Sequence, residues 1–326
     1  MNPQIIHFLK KNNDYISGEE ISRALKVSRA GIWKYIEELR EHGYVIEAVP
    51  HLGYRLASAP DKLFPWEIAF DLATRYIGKR IIYYDTVTST MDEAFKLGVQ
   101  GAQEGTLLCA EGQSKGRGRM GRKWMSPKGR GIYVSLVLRP ALSVAEVAKL
   151  TLLVAVAVCE AIRKTASVDA RIKWPNDILV GQKKLGGILT ELSAEVDQIK
   201  FVVVGIGINV NAIALQIPVE ATSLKIETQK NFSRTEVLKG VLCSLEHWYE
   251  ILKSQGSAPV LKRWKELSAT IGQRVRIKDK DGFIDGEAVD LADDGGLLIR
   301  KESGELIKRM AGDVEFLGNN GDSSKK

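Results

Sequence analysis

Gly116-Arg117-Gly118-Arg119-Met120-Gly121-Arg122, followed by the strand-like run Ile132-Tyr133-Val134-Ser135-Leu136, sets a polycationic loop on the edge of a β-sheet. Seven basic residues lie between Gly112 and Gly131 with no acidic residue among them: Lys115, Arg117, Arg119, Arg122, Lys123, Lys128 and Arg130. Gly116, Gly118, Gly121, Gly129 and Gly131 are interleaved with them. Glycines let the backbone approach a ligand closely. Arginines present planar forks to carboxylate and phosphate oxygens. The segment therefore suits a polyanion. Its like charges and low apolar content predict mobility when it is empty. On composition alone, a solvated basic loop or a nonspecific RNA-binding segment fits equally well. The spacing is not that of a P-loop, which needs Gly-x-x-x-x-Gly-Lys-Ser/Thr.

Outward from this loop the hydrophobic periods alternate. Residues 80–84, 106–110, 131–138, 170–174 and 201–210 read as strands, and 90–97, 144–165 and 234–254 as helices. The pattern is a mixed α/β domain, one sheet with helices packed on it.

Residues 1–60 read as a separate helical unit. Ile5, Ile6 and Leu9 make one apolar face. Ser17 with Glu20 three residues later predicts a capping box at the start of a second helix. Ser28 caps a third, whose core stripe is Ile32, Ile36 and Leu39. Two short strands flank Pro50-His51-Leu52. Three helices and a hairpin make the winged helix-turn-helix pattern. Residues 57–61 read as a linker. From 271 onward, short strands at 274–277, 284–289, 297–300 and 306–308 are punctuated by glycines and predict a small antiparallel barrel of the SH3 kind. The polar stretch 318–326 reads as disordered.

Bulk properties narrow the function classes. An apolar fraction of 44% is ordinary for a folded soluble chain. Cys109, Cys159 and Cys243 are far apart and odd in number, which argues against a disulfide framework and for a reducing, cytoplasmic setting. The N-terminus lacks a secretory h-region. The longest apolar run, 150–158, is too short to span a bilayer, so no membrane partner is expected. A net charge of +7 suggests anionic partners without saying which.

Three further strings converge on the arginine loop: Lys173-Trp174-Pro175-Asn176-Asp177, Lys183-Lys184-Leu185-Gly186-Gly187-Ile188-Leu189 and Gly205-Ile206-Gly207-Ile208-Asn209. With these in hand, the chain resembles the bifunctional biotin protein ligases that are also biotin operon repressors, over about residues 1–318. No string is decisive by itself. The combination of Gly-Arg-Gly-Arg-x-Gly-Arg, Lys-Trp-Pro-Asn-Asp and Lys-Leu-x-Gly-Ile-Leu-x-Glu is highly specific. The chain departs from the family at Met91, where an asparagine often stands, and at Met120, which replaces an arginine.

The resemblance implies an α/β (α+β) chain in three parts. A winged helix-turn-helix DNA-binding domain covers 1–60, a mixed-sheet biotin/lipoate-ligase-like catalytic domain 66–269, and an SH3-like β-barrel 271–318. It implies two chemical steps, activation of biotin by ATP to biotinyl-5′-AMP and transfer to a lysine of a carrier protein. The first step brings two anions together, so catalysis is chiefly positioning and charge neutralisation. Lys184 is then the central cation, with Arg117 and Arg119 beside it as catalytic residues. Biotin is expected to meet Ser89, Thr90, Met91, Gln113, Arg117, Gly118, Arg119 and Lys184. The ATP and adenylate side falls to Arg119, Arg122, Trp124, Lys173, Asn176, Lys184 and Asn209. Asp177 orients the carrier lysine. Mg²⁺ is carried with ATP, with no metal site of the protein's own, and residues 213–224 form a second flap.

On the N-terminal unit, Ser28, Arg29, Trp33, Lys34 and Arg55 are the expected DNA-contacting residues. That unit's acids and bases nearly balance, so one copy binds weakly and operator binding calls for a homodimer of the adenylate-bound form. The expected partners are operator DNA, a second copy, and the biotin carrier domain of acetyl-CoA carboxylase or a related carboxylase. Two other readings stand beside this one, a lipoate-type ligase and a transcription factor whose α/β domain only senses a ligand.

Overall fold

The computed structural model describes residues 3–12, 14–196, 198–279 and 282–317. The stretch 318–326, expected to be disordered, lies outside them. The contacts divide the chain into two compact units, one ending at Asp71 and one beginning at Leu72.

In the first unit, α1 (Pro3–Lys11), α2 (Gly18–Leu25) and α3 (Arg29–Glu41) are short helices closed on an aliphatic core. Ile5, Ile6, Leu9, Ile21, Ile32, Ile36 and Leu39 are all buried. Each such side chain contributes about 1.5–3 kcal/mol of burial, more than the ~1 kcal/mol of a helix cap, so packing makes these helices and capping places their ends. Ser17 Oγ accepts the Glu20 N–H at 3.1 Å and Ser28 Oγ the Gly31 N–H at 3.2 Å. The hairpin β1 (Val45–Val49) and β2 (Gly53–Ser58) is antiparallel, and Tyr54 also pairs with Ile16. Gly53 has φ +108, and a Cβ there would lie 1.9 Å from the Ile16 carbonyl oxygen, so only glycine fits this crossing.

The unit runs past the linker expected at 57–61. Leu63, Phe64 and Ile68 are buried around the short helix α4 (Pro65–Ala69). Its buried Glu67 accepts the Tyr44 hydroxyl at 2.6 Å and pairs with Lys10, and Trp66 Nε1 donates to Tyr44 Oη at 2.7 Å. Residues 62–71 thus belong by contact to the helices before them.

The second unit holds a seven-stranded sheet. Its strands are β3 (Ile81–Tyr84), β4 (Thr106–Ala110), β5 (Gly131–Leu138), β6 (Ala170–Lys173), β7 (Asp177–Val180), β8 (Lys183–Glu195) and β9 (Gln198–Asn209), in the order β3-β4-β5-β9-β8-β7-β6. The β3–β4 pair is parallel and the others are antiparallel. Helix α5 (Thr90–Val99) lies on one face, with Met91 and Ala94 packed among Leu108, Val137, Phe201 and Val203. On the other face α6 (Val147–Ala166) meets the sheet, Thr151 Oγ1 lying 2.8 Å from Thr190 Oγ1. Beyond α7 (Leu224–Thr228), helices α8 (Arg234–Gln255) and α9 (Ala258–Leu267) pack against α6. Five antiparallel strands follow: β10 (Arg274–Asp279), β11 (Gly282–Leu291), β12 (Leu297–Arg300), β13 (Leu306–Arg309) and β14 (Val314–Phe316), in the order β13-β12-β11-β10-β14. Among the described residues no helix is long and apolar enough to cross a membrane.

Candidate active site

The site begins with missing side chains. Gly187 of β8 stands opposite Gly207 of β9, and Leu189 opposite Gly205. Tyr133 and Ser135 of β5 pair with the same two glycines, so these residues share one face of the sheet. A Cβ on Gly205 would lie 2.5 Å from Met91 Sδ, and one on Gly207 2.6 Å from the Trp124 ring. The glycines therefore form the floor of a cleft of about 740 Å³, partly open to solvent, with Met91 and Trp124 resting on it.

At one end polar groups cluster. Gln113 Oε1 accepts from Thr90 N at 2.8 Å and from Thr90 Oγ1 at 3.1 Å, and Gln113 Nε2 donates to Ser126 Oγ at 2.9 Å. Ser135 Oγ donates to Thr90 Oγ1 at 2.8 Å. Ser89 takes the N-cap position of α5 but does not cap it, and its buried Oγ has no hydrogen-bond partner among the described residues. A buried hydroxyl left unpaired costs about 1–3 kcal/mol.

At the other end charges converge. Lys184 Nζ is 2.6 Å from Asp177 Oδ1 and 5.6 Å from the Trp124 ring centre. Arg119 Nη1 donates to Asn176 Oδ1 at 2.8 Å and lies 3.8 Å from Asp313 Oδ1. Arg122 pairs with Asp313. Arg117 is held by Asp92 at 2.5 Å and by Glu191. Burial holds the Arg119 guanidinium below its usual pKa, against the pull of Asp313 and Asp177. The arginine segment folds back on itself, with Trp124 N donating to Gly116 O at 2.9 Å and Gly118 N to Arg122 O at 2.7 Å.

The expected residues are not all gathered here. Thr90, Met91, Gln113, Arg117, Gly118, Arg119, Arg122, Trp124, Asn176, Asp177 and Lys184 line the cleft. Ser89, fully buried at the position before Thr90, is not among the lining residues. Lys173 is not among the lining residues but stands near the cleft's charges: its ammonium is 5.0 Å from the Phe316 ring centre, and burial lowers its pKa against the pull of Asp177. Asn209 is buried beneath the second flap, donating to the Thr222 carbonyl at 3.0 Å. Of the two residues that depart from the family pattern, Met91 lines the cleft, while Met120, with φ 54 and 73% exposed, does not line it and meets it only through Arg122, whose Nη2 lies 3.9 Å from the Met120 sulfur. In the N-terminal unit, Trp33 is 60% exposed and Lys34 is exposed beside it. Arg29 pairs with Glu19 at 2.8 Å and Arg55 with Glu47 at 2.7 Å, while the Ser28 hydroxyl is used as a helix cap.

The sequence reading missed Asp313, Asp92, Glu191 and Tyr133. Asp313 is contributed by the turn before β14, and no local pattern ties it to a loop so distant in the chain. The Gly205-x-Gly207 spacing did carry a signal, because two glycines at period two leave one strand face bare.

Comparison with known proteins agrees with this geometry. Residues 83–209 match the Biotin/lipoate A/B protein ligase family, residues 3–55 an HTH domain, and residues 270–317 the Biotin protein ligase C terminal domain. The Bifunctional ligase/repressor BirA of Bacillus subtilis (strain 168) is 42% identical over 95% of this chain and 96% of its own length. Its namesake in Escherichia coli (strain K12) is 30% identical over 94% and 95%. The structure of the biotin protein ligase from Aquifex aeolicus in complex with biotin and ATP superposes with a TM-score of 0.64 at 33% identity, covering 73% of this chain and 99% of that one. Matched along nearly its whole length by a ligase/repressor, and with ligase and HTH domains both present, the chain belongs to the family of bifunctional biotin ligase/repressors.

Proposed function

We propose that this protein activates biotin with ATP to biotinyl-5′-AMP, transfers the biotinyl group to a lysine of a biotin carrier domain, and represses biotin biosynthesis genes as an adenylate-bound dimer. The observation that carries the reading is a glycine-floored cleft with Thr90 and Gln113 at one end and Lys184 and Arg119 at the other, next to a buried Ser89 hydroxyl without a hydrogen-bond partner among the described residues. A ureido ring needs donors and acceptors in a dry pocket, and Ser89, Thr90 and Gln113 offer them. The glycine floor takes an apolar ring and chain. The carboxylate then reaches the cations.

In the first step a biotin carboxylate oxygen attacks the α-phosphorus of ATP, and the bond to pyrophosphate breaks. Lys184 and Arg119 exchange their protein carboxylate and amide contacts for ligand oxygens and offset the charge that develops between two anions. Arg122 and Arg117 serve the phosphates and the carboxylate in the same manner. Trp124 forms a wall over the ligand, and Asn176 and Asn209 hold the backbone and flap around the adenylate. In the second step the carrier amine attacks the acyl carbon and AMP leaves. Asp177, near Lys184, accepts a hydrogen bond from that amine and orients it.

Mg²⁺ carried with ATP would offset the triphosphate charge. The exposed set Arg29, Trp33 and Lys34 on α3, with Arg55 on the hairpin, faces operator DNA. A reducing, cytoplasmic setting suits Cys109, Cys159 and Cys243, which stand as thiols.

Pyrophosphate–ATP exchange tests the chemistry. Exchange stimulated by biotin is expected. Exchange with lipoate alone, or none with either acid, would overturn the reading.

A further inference from the structure

A buried ion pair lies at the root of the arginine segment, outside the cleft. Arg234, the first residue of α8, is fully buried, and its Nη2 lies 2.8 Å from Oε2 of the equally buried Glu111. Glu111 is the residue through which the chain leaves β4 for the arginine segment. The other arm of the same guanidinium, Nη1, donates to the carbonyl of Gly131 at 3.2 Å, where the chain enters β5. One side chain thus grips both ends of the segment. The grip is reinforced at Gly129, whose N–H donates to the Glu111 carbonyl at 2.9 Å.

The second flap starts at the same place. Asn211 N donates to the Arg130 carbonyl at 2.7 Å. The Asn211 side chain exchanges two hydrogen bonds with the Phe232 backbone, at 2.8 and 2.9 Å, and Phe232 lies two positions before Arg234. Ser223 Oγ closes the flap by donating to the Ala212 carbonyl at 2.7 Å. The roots of residues 112–130 and of residues 211–233 therefore meet at one polar knot.

A buried ion pair is a poor way to gain stability, because desolvation offsets most of its attraction, and an apolar pair of similar volume often does as well. Its value lies in fixing one geometry. We propose that Glu111 and Arg234 are a positioning clamp that makes the arginine segment and the second flap order as one unit when ligand binds. The clamp touches no substrate. It acts by holding the roots from which Gln113, Arg119 and Trp124 on one segment, and the flap over Asn209 on the other, reach the cleft. This rests on the biotin-adenylation reading above.

The test uses the full chain and two variants in biotin-dependent pyrophosphate exchange, with melting temperature and tryptic cleavage of residues 115–130 measured alongside. Glu111→Leu/Arg234→Met removes both charges together. Arg234→Lys keeps the charge facing Glu111 and loses the fork to Gly131. Biotin plus ATP is expected to protect the parent chain from trypsin; both variants are expected to fold, to raise KM for biotin and for ATP together by about tenfold, a usual size for coupling between sites, and to lose that protection. A folded variant with parental KM values and parental protection would overturn the clamp, as would a rise in one KM alone. If the double variant does not fold, Arg234→Lys decides. A parent chain without biotin-dependent exchange would instead overturn the proposed function, so the two failures are distinguishable.

Discussion

The Lys184 ammonium meets the Asp177 carboxylate and the Trp124 ring, and about a third of its side chain is exposed to solvent. A partly exposed ion pair of this kind adds little to stability, with a median of about 0–1 kcal/mol. Lys184→Met is therefore expected to melt close to the parent chain while pyrophosphate exchange falls by at least about a hundredfold, the usual cost of removing one preorganised electrostatic group. A loss of exchange matched by a loss of folding would speak against a catalytic role. Gly207 makes the complementary case from shape. Its missing Cβ leaves the space that the Trp124 ring occupies. Gly207→Val is expected to weaken biotin binding by at least about tenfold, since a displaced wall and a filled floor each cost on the order of 1–3 kcal/mol; calorimetric titration with biotin reads it directly. Single residues were legible in the sequence where a motif surrounded them, as with Lys184, Asp177 and Gln113. They were not legible where only the fold brings them in. Asp313 reaches Arg122 from the far end of the chain, whereas Ser89 was expected from the family resemblance and only the lack of a partner for its hydroxyl needed the helix beside it to be built.

At the scale of elements, long periodic segments declared themselves. The helices α3, α6 and α8 and the strands β4, β5 and β9 fall where their hydrophobic periods put them. The short elements α4, α7, β7 and β14 did not, because three to five residues carry too little periodicity to stand out. Strand β7 is the most consequential of these. It turns Trp174-Pro175-Asn176 into a bend between two strands and sets Asp177 opposite Gly187, across from the glycine floor. Caps were readable, and they can be weighed. Ser17 accepts the Glu20 N–H at the start of α2. Ser17→Ala is expected to cost the first unit about 1 kcal/mol, read as a lower denaturant midpoint for that unit with exchange activity in the second unit unchanged.

At the scale of the whole molecule, two units divide two tasks. The second carries the cleft, and the first carries the exposed face of α3. The first unit has almost no net charge of its own, so a single copy has few phosphate contacts with which to hold DNA. The proposed repression therefore calls for a dimer, and a ligand drives dimerisation only if it binds the dimer more tightly than the monomer. Sedimentation velocity with biotin and ATP is expected to show a larger dimer fraction than without them; equal fractions would remove the regulatory half of the proposal and leave the ligase half standing. That half has a direct test. The chain is incubated with ATP, Mg²⁺, biotin and a folded biotin carrier domain that an active ligase labels, and the carrier is read by intact mass. One biotinyl group on one lysine, gained only when both ATP and biotin are present, is the expected result. A carrier that stays unmodified, or that gains biotin without ATP, would contradict it.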